Sequence, residues 1–242
     1  MEETDLTRLE TVTRFFSGTG FSYDQVVNIC TAGFDRYWKK VILEQIPPSP
    51  TRIIDQACGT GILTFAIARR FPQCTVTGVE LREEYLSLAR EKAQREGIKN
   101  VKFLLGRAEE VIVPGEQDCI TSSYLAKYAD LGELAKNARR MLRPGGVMVL
   151  HDFTYPANRA VLPFWHGCFT LMRSFGGRYF PEWRTVFEEL PGFLRDTRWL
   201  PKTLEALESH DFCEIKTRSL TFGSAALVTA RKPPATQHQK DL

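Results

Sequence analysis

The chain has 242 residues, 43% of them hydrophobic, which is enough apolar material for one large α/β domain carrying an insertion. Its 32 basic and 29 acidic residues leave a net charge of +3, too mild a balance to point by itself to a nucleic-acid or acidic-membrane partner. No apolar run approaches the roughly 20 residues that span a bilayer, and the acidic N-terminus MEETDLTRLETVTRFF lacks a signal peptide's apolar region, so the expectation is a cytoplasmic protein with at most peripheral membrane contact.

Residues 6 to 46 read as helices, with Phe34, Trp38, Val41, Ile42 and Gln45 at helical spacing, and PPSP at 47–50 breaks them. From there strands and helices alternate. RIIDQA is a short apolar strand and ILTFAIARRF a helix; CTVTGVEL is β-branched, and REEYLSLAREKAQREG is an amphipathic helix closing at Gly97. NVKFLLG and DCITSSY read as strands, LGELAKNARRML as a helix stopped by RPGG, and GVMVLHDF as the next strand. PKTLEALESHDF is a final helix, and CEIKTRSLTFGSAALVTARK makes two antiparallel strands. This order predicts a doubly wound, Rossmann-like α/β fold: a mostly parallel seven-stranded sheet with an antiparallel edge and helices on both faces.

Three segments stand apart. Residues 1–50 read as an N-terminal helical segment that closes the active site of a domain spanning 51–232. Residues 155–198, rich in Phe, Trp and Leu, are too apolar for a surface loop and read as a helical cap. Residues 233–242 read as a disordered tail. The cysteines at 30, 58, 74, 119, 168 and 213 form no CxxC pair and read as small core residues in a reducing compartment, without a metal site.

The chemistry concentrates in the stretch IIDQACGTGILTFAIARRF, residues 53–71. A strand, a glycine turn and a helix open a nucleotide-binding crossover. Gly59 and Gly61 allow a tight turn and close backbone approach, and the helix start offers free N–H groups. Thr64 occupies the third small position of a dinucleotide fingerprint, which disfavours NAD, and no Lys-Ser/Thr follows to make a P-loop. Asp55, ending the loop's own strand, would repel a pyrophosphate but welcome an ammonium or a sulfonium group. Glu80 ends the next strand about 20 residues on, where an acid accepts the ribose hydroxyls. Together these features predict S-adenosylmethionine as cofactor, with S-adenosylhomocysteine as its product. The third strand leads into Arg107, Ala108 and Glu109. Arg107 either borders the adenine or faces solvent.

These residues resemble a class I S-adenosylmethionine-dependent methyltransferase, and the chain from about residue 15 to 232 is similar to the UbiE/MenG quinone-biosynthesis C-methyltransferases. Tyr23, Asp24, Asn28, Gly33, Arg36, Trp38 and Lys39 match the N-terminal signature, with Asp35 in place of its His and Val27 in place of its Met. Arg140, Pro144, Gly145 and Gly146 match a second signature, followed by Asp152, Phe153 and Thr154 where the family has Glu-Phe-Ser. The C-terminal helix and strand are also similar to the family's, with Asp211-Phe212 standing for Gly-Phe. By that resemblance, cofactor contacts fall at Thr60, Glu80, the pair Arg107-Ala108 and Ser123. The wider set of candidates adds Asp55, Ala57, Cys58, Gly59 and Gly61 from the loop, Leu81 and Glu109 from the strand ends, Ser122, and Tyr23 and Lys39 from the N-terminal segment.

The fourth strand departs most from the family. Tyr124, Lys127 and Tyr128 stand where the family has Phe, Arg and Asn, the last two bordering its quinol site. The resemblance implies C-methylation of a quinol or naphthoquinol ring, with an apolar aromatic acceptor such as a prenylated quinol and a homodimer as further expectations. An O- or N-methyltransferase of another aromatic acceptor, or a non-catalytic S-adenosylmethionine-binding protein, are the rival readings. Carbon methylation needs a phenol activated, which makes Lys127 a candidate cation or base, with a solvated loop lysine as the alternative. His151, near the end of the fifth strand, is a second candidate base or else a hydrogen-bonded core residue. Tyr124, like Tyr23, either closes over the reactants or packs.

Overall fold

The computed structural model describes residues 5–235. Most of the expected tail at 233–242 lies outside the described residues. Three helices come first: α1 (Asp5–Phe16), α2 (Tyr23–Cys30) and α3 (Phe34–Leu43). The alternating part follows with β1 (Arg52–Gln56), α4 (Ile62–Arg70), β2 (Thr75–Glu80), α5 (Glu83–Arg95), β3 (Val101–Leu105), β4 (Gln117–Ser123), α6 (Leu131–Met141) and β5 (Leu142–Phe153). Helices α7 (Leu162–Leu171), α8 (Gly177–Tyr179) and α9 (Arg184–Thr197) occupy the apolar insertion. Then α10 (Trp199–Ser209), β6 (Cys213–Leu220) and β7 (Ala225–Arg231) complete the chain.

The strands form one seven-stranded sheet in the order β3-β2-β1-β4-β5-β7-β6. The first five pair in parallel, and β7 runs antiparallel between β5 and β6. The expected doubly wound sheet with an antiparallel edge is therefore the observed one. Strands β1, β2 and β4 are buried on both faces, as expected where helices cover a parallel sheet on both sides, and buried polar residues such as Asp55, Thr77 and Thr121 lie among their apolar ones. Ile54, Ile120 and Met148 pack with α6 and α10 on one side, while Ile53, Val76 and Val149 pack with α3 and α4 on the other. The strand order reverses at β1, between β2 and β4, which puts a crevice at the C-terminal ends of these strands.

Local chemistry sets the helix ends. In α5, Glu83 and Glu84 open the helix and Lys92 and Arg95 close it, as the helix dipole favours. The Asp130 side chain caps α6 by accepting from the Glu133 N–H at 3.1 Å. One strand differs from expectation: β5 begins at Leu142 and includes the RPGG segment. Gly145, at φ 76°, donates its N–H to the Lys232 carbonyl, and Lys232 donates back to Gly146. The residue just after β7 thus holds the turn in register with the sheet. The cysteines also split: Cys58, Cys74 and Cys119 are buried, but Cys30, Cys168 and Cys213 are only half-buried, so the core reading holds for three of the six.

Candidate active site

Two cavities meet above the C-terminal ends of β1, β2 and β4. The first is built around Gly59, Glu80 and Ala108, with Ala57, Val79 and Leu81 as an apolar wall. The second lies under α7 and α9 and is lined mainly by aromatic and aliphatic side chains. It encloses about 1290 Å³ of space including its mouth, against about 810 Å³ for the first. Phe16, Tyr23, Tyr124 and Tyr128 line both cavities and form the junction between them.

The glycine loop gives the first cavity its shape. Ala57, Gly59 and Gly61 all have positive φ, at 53°, 56° and 91°. The Cys58 N–H donates to the Val79 carbonyl at 2.9 Å, tying the loop to β2. Glu80 accepts from the Gly59 N–H and, with its other oxygen, from the Arg82 N–H, each at 2.9 Å. Burial raises its carboxyl above the usual range, while these backbone donors oppose the rise. Above the loop, Thr60 donates to Asp24 of α2 at 2.5 Å, and Lys92 of α5 pairs with the other oxygen of Asp24 at 2.5 Å. The N-terminal helices are thereby pinned to both the loop and α5. Tyr85 adds an edge contact to Tyr23, with ring centroids 5.3 Å apart. Arg107 lines the cavity and pairs with Glu109 and Glu110, each at 2.8 Å.

Beneath the junction lies a buried polar network. Asp35 accepts from Lys39 at 2.5 Å and from the Tyr124 hydroxyl at 2.6 Å. Lys39 also donates to Ser123 at 3.2 Å, and Ser123 shares a hydrogen bond with His151 Nδ1 at 3.0 Å. The Lys39 ammonium sits 4.6 Å from the Tyr124 ring centre. Tyr124 itself has φ 71°, a strained conformation for a bulky residue and one that concentrates at functional sites.

On the acceptor side, Lys127 reaches Asp152 at 2.6 Å and the Tyr124 carbonyl at 2.9 Å. Its Nζ lies 4.5 Å from the Tyr128 ring centre and 5.5 Å from that of Tyr124. Burial pulls the lysine down and pushes the aspartate up, and the charge of each opposes the shift of the other. Lys127 lines the aromatic cavity, so the solvated-loop alternative does not describe it.

Among the residues expected to touch a cofactor, Tyr23, Ala57, Gly59, Glu80 and Leu81 line the first cavity, as do Arg107, Ala108, Glu109 and Ser123. Others do not. Asp55 is fully buried and accepts from Thr64 at 2.6 Å and Thr121 at 2.9 Å, so it braces the loop instead of facing a ligand. Burial raises its carboxyl to about 6. Ser122 points away from Ser123, because successive strand residues face opposite sides, and its hydroxyl is buried without a partner. The Cys58 and Lys39 side chains are buried beneath the site, and Thr60 and Gly61 shape the loop from behind. His151 is fully buried, lines neither cavity, and is held well below its ordinary pKa by burial and by the Lys39 and Lys127 charges. It is a neutral core residue that positions Ser123, not a base facing substrate. Phe16 and Tyr85 carried no local signal in the sequence, since their place in the site depends on how α1 and α5 pack.

Residues 3–232 match the ubiE/COQ5 methyltransferase family. A demethylmenaquinone methyltransferase from Thermus thermophilus is 29% identical over 233 residues, covering 90% of this chain and 100% of that protein. Among solved structures, geranyl diphosphate C-methyltransferase from Streptomyces coelicolor has a TM-score of 0.60 at 15% identity, covering 84% of this chain and 82% of that one. The S-adenosylmethionine-dependent methyltransferase SibL has a TM-score of 0.58 at 16% identity over 84% of this chain, which spans only 57% of that longer protein. Among the described residues no helix is long and apolar enough to cross a membrane.

Proposed function

Because the chain belongs to the ubiE/COQ5 methyltransferase family, we propose that it moves a methyl group from S-adenosylmethionine to a ring carbon of an apolar aromatic acceptor, a quinol or naphthoquinol of the menaquinone or ubiquinone type. The observation that carries this reading is the junction. A polar-rimmed donor cavity and a large apolar cavity share Phe16, Tyr23, Tyr124 and Tyr128. The demethylmenaquinone methyltransferase relative supports the acceptor class.

The first cavity suits the donor chemically. Glu80 offers carboxylate oxygens where ribose hydroxyls bind, and Ala57, Val79, Leu81 and Ala108 offer an apolar wall for a purine. Gly59, in a left-handed conformation with only the Tyr85 ring near a would-be Cβ, lets backbone approach the ligand. Bound S-adenosylmethionine supplies an electrophilic methyl group on a sulfonium.

The chain's own residues do the rest. Tyr23, Tyr124 and Tyr128 align the two reactants and exclude water from the junction. The phenol ring needs a more nucleophilic carbon, and losing the hydroxyl proton provides it. With a phenol pKa near ~10, a cation beside the hydroxyl is needed at neutral pH to favour the phenolate, its proton passing to water before the site closes. The carbon that gains the methyl group then gives up its own hydrogen as a proton to water, which restores the aromatic ring. Lys127, charge-paired and facing the apolar cavity, is assigned that role, with Asp152 holding it in place. The segment 1–50 and the insertion 155–198 act as the two lids of the site in this reading.

The test is to incubate the purified protein with S-adenosylmethionine and reduced naphthoquinols and to locate the new methyl group by NMR. Extracts of cells lacking the gene should accumulate a quinone lighter by one methyl group. A methyl group on oxygen or nitrogen would replace the C-methylation reading. Tight S-adenosylhomocysteine binding without turnover on quinols, phenols or amines would replace the catalytic one.

A further inference from the structure

Helix α7, LPFWHGCFTL, is apolar on every side. Such helices are ordinarily buried all round or set against lipid. Here Trp165 is its buried residue. Phe164 is 76% exposed and Leu171 59% exposed, and beyond the helix Phe175 is 61% exposed. The spacing from Phe164 through Cys168 and Leu171 to Phe175 is three to four residues, so these side chains follow one helical face. Phe222, at the turn between β6 and β7, is 82% exposed and has φ 55°. Phe164 and Phe222 also line the acceptor cavity. The cavity therefore opens within an apolar patch.

The charge around this patch is one-sided. From Phe153 to Pro181 the chain has no Asp or Glu, but it has Arg159, Arg173 and Arg178. All three are exposed, and none has a carboxylate partner among the described residues. Some exposed arginines elsewhere are paired, as Arg14 is with Glu189 and Arg90 with Glu83, and others such as Arg36 and Arg70 are not, among the described residues. What sets this segment apart is three exposed arginines in a stretch without an acid. Exposed phenylalanines with unpaired arginines beside them match the headgroup boundary of an anionic bilayer, which attracts cations and admits apolar side chains. They suit a second copy of the chain less well, because a two-fold contact would set the arginine patch against itself.

We propose that α7, the turn that follows it and Phe222 form a docking platform for an anionic lipid bilayer, with the mouth of the apolar cavity facing the membrane. Phe164, Leu171, Phe175 and Phe222 enter the acyl boundary, and Arg159, Arg173 and Arg178 meet lipid phosphates. The platform goes beyond the proposed reaction and is tested without any substrate.

The experiment is co-sedimentation of the full chain with vesicles of phosphatidylcholine alone or of phosphatidylcholine mixed with phosphatidylglycerol. The protein should partition onto the mixed vesicles, and added salt should weaken the binding. The triple variant Arg159→Gln, Arg173→Gln, Arg178→Gln should lower the partition coefficient by about a hundredfold. Leu171→Ser with Phe175→Ser should also lower it, with an unfolding temperature close to that of the parent protein as the check on folding. No partitioning onto mixed vesicles, or equal partitioning by all variants, would overturn the proposal. So would a concentration-dependent dimer, abolished by the Leu171 and Phe175 changes, in a protein that ignores vesicles.

Discussion

Lys127 and Asp152 form a buried ion pair, Nζ to Oδ1 at 2.6 Å, and the Lys127 backbone N–H donates to the other carboxylate oxygen at 3.2 Å. The two residues are held as a unit, which determines how the role of the lysine must be tested.

Lys127→Met should lower methyl transfer by about 10²–10⁴-fold, the usual cost of losing a positioned acid–base group, with S-adenosylhomocysteine affinity nearly unchanged. Taken alone, it strands a buried carboxylate, at a cost of about 3–5 kcal/mol in stability. The double variant Lys127→Met, Asp152→Asn removes that charge and should be more stable but still slow. Lys127→Arg keeps the cation and should retain much of the rate. Residual activity in the Met variant should rise with pH as the acceptor ionises in solution. Full turnover in the double variant would sink the assignment.

Glu80 accepts two backbone N–H groups as well as facing the donor cavity. Glu80→Gln keeps one acceptor oxygen and the shape, so it probes the ligand more cleanly than Glu80→Ala. It should weaken S-adenosylhomocysteine binding by about 1–3 kcal/mol, as read by calorimetry. An unchanged dissociation constant would remove Glu80 from the ribose site.

Asp55 titrates near 6 in the folded protein, against 3.8 ordinarily. Its folded state holds the proton more tightly than the unfolded state, so its contribution to stability falls as pH rises from about 4 to 6. Asp55→Asn removes that dependence. Relative to the parent, the variant should gain stability on the order of 3 kcal/mol between pH 4 and pH 7. Urea unfolding of both proteins across this range measures the difference, and parallel curves would show that Asp55 titrates normally.

Gly61 has φ 91°, and a Cβ there would stand 2.5 Å from the Phe65 ring. Gly61→Ala should cost about 2 kcal/mol through backbone strain and overpacking, lowering Tm by about 4–8 °C. Gly192, in α9 with open space around its Cβ position, is the control: Gly192→Ala should leave Tm unchanged or raise it. Equal Tm values for Gly61→Ala and the parent would mean that the loop relaxes freely.

The departures from the family's pattern find partners in space. Asp35 replaces a His and Tyr124 a Phe, and the tyrosine hydroxyl donates to that aspartate at 2.6 Å. Lys127 replaces an Arg and Asp152 a Glu, and the two are ion-paired. Each substitution looks isolated along the chain, yet each is half of a contact.

Much of the architecture could be read from the chain alone. Alternating apolar runs and amphipathic helices predicted the parallel sheet, because burial on both faces leaves a continuous hydrophobic signature. The glycine loop and Glu80 were legible because strand, turn and helix are local, and special φ values call for glycine. Tertiary packing decided the rest. Asp55 and Glu80 both lie at the C-terminal ends of strands, yet one braces threonines and the other faces the cavity. Neighbouring serines 122 and 123 fall on opposite faces. Tyr124 meets Asp35 from 89 positions away. Hydrophobic periodicity tells which side of an element is buried, but not which distant side chain will meet it there. Partners of buried polar groups are set by the packing of whole helices and strands, and that information exists only once the chain is folded.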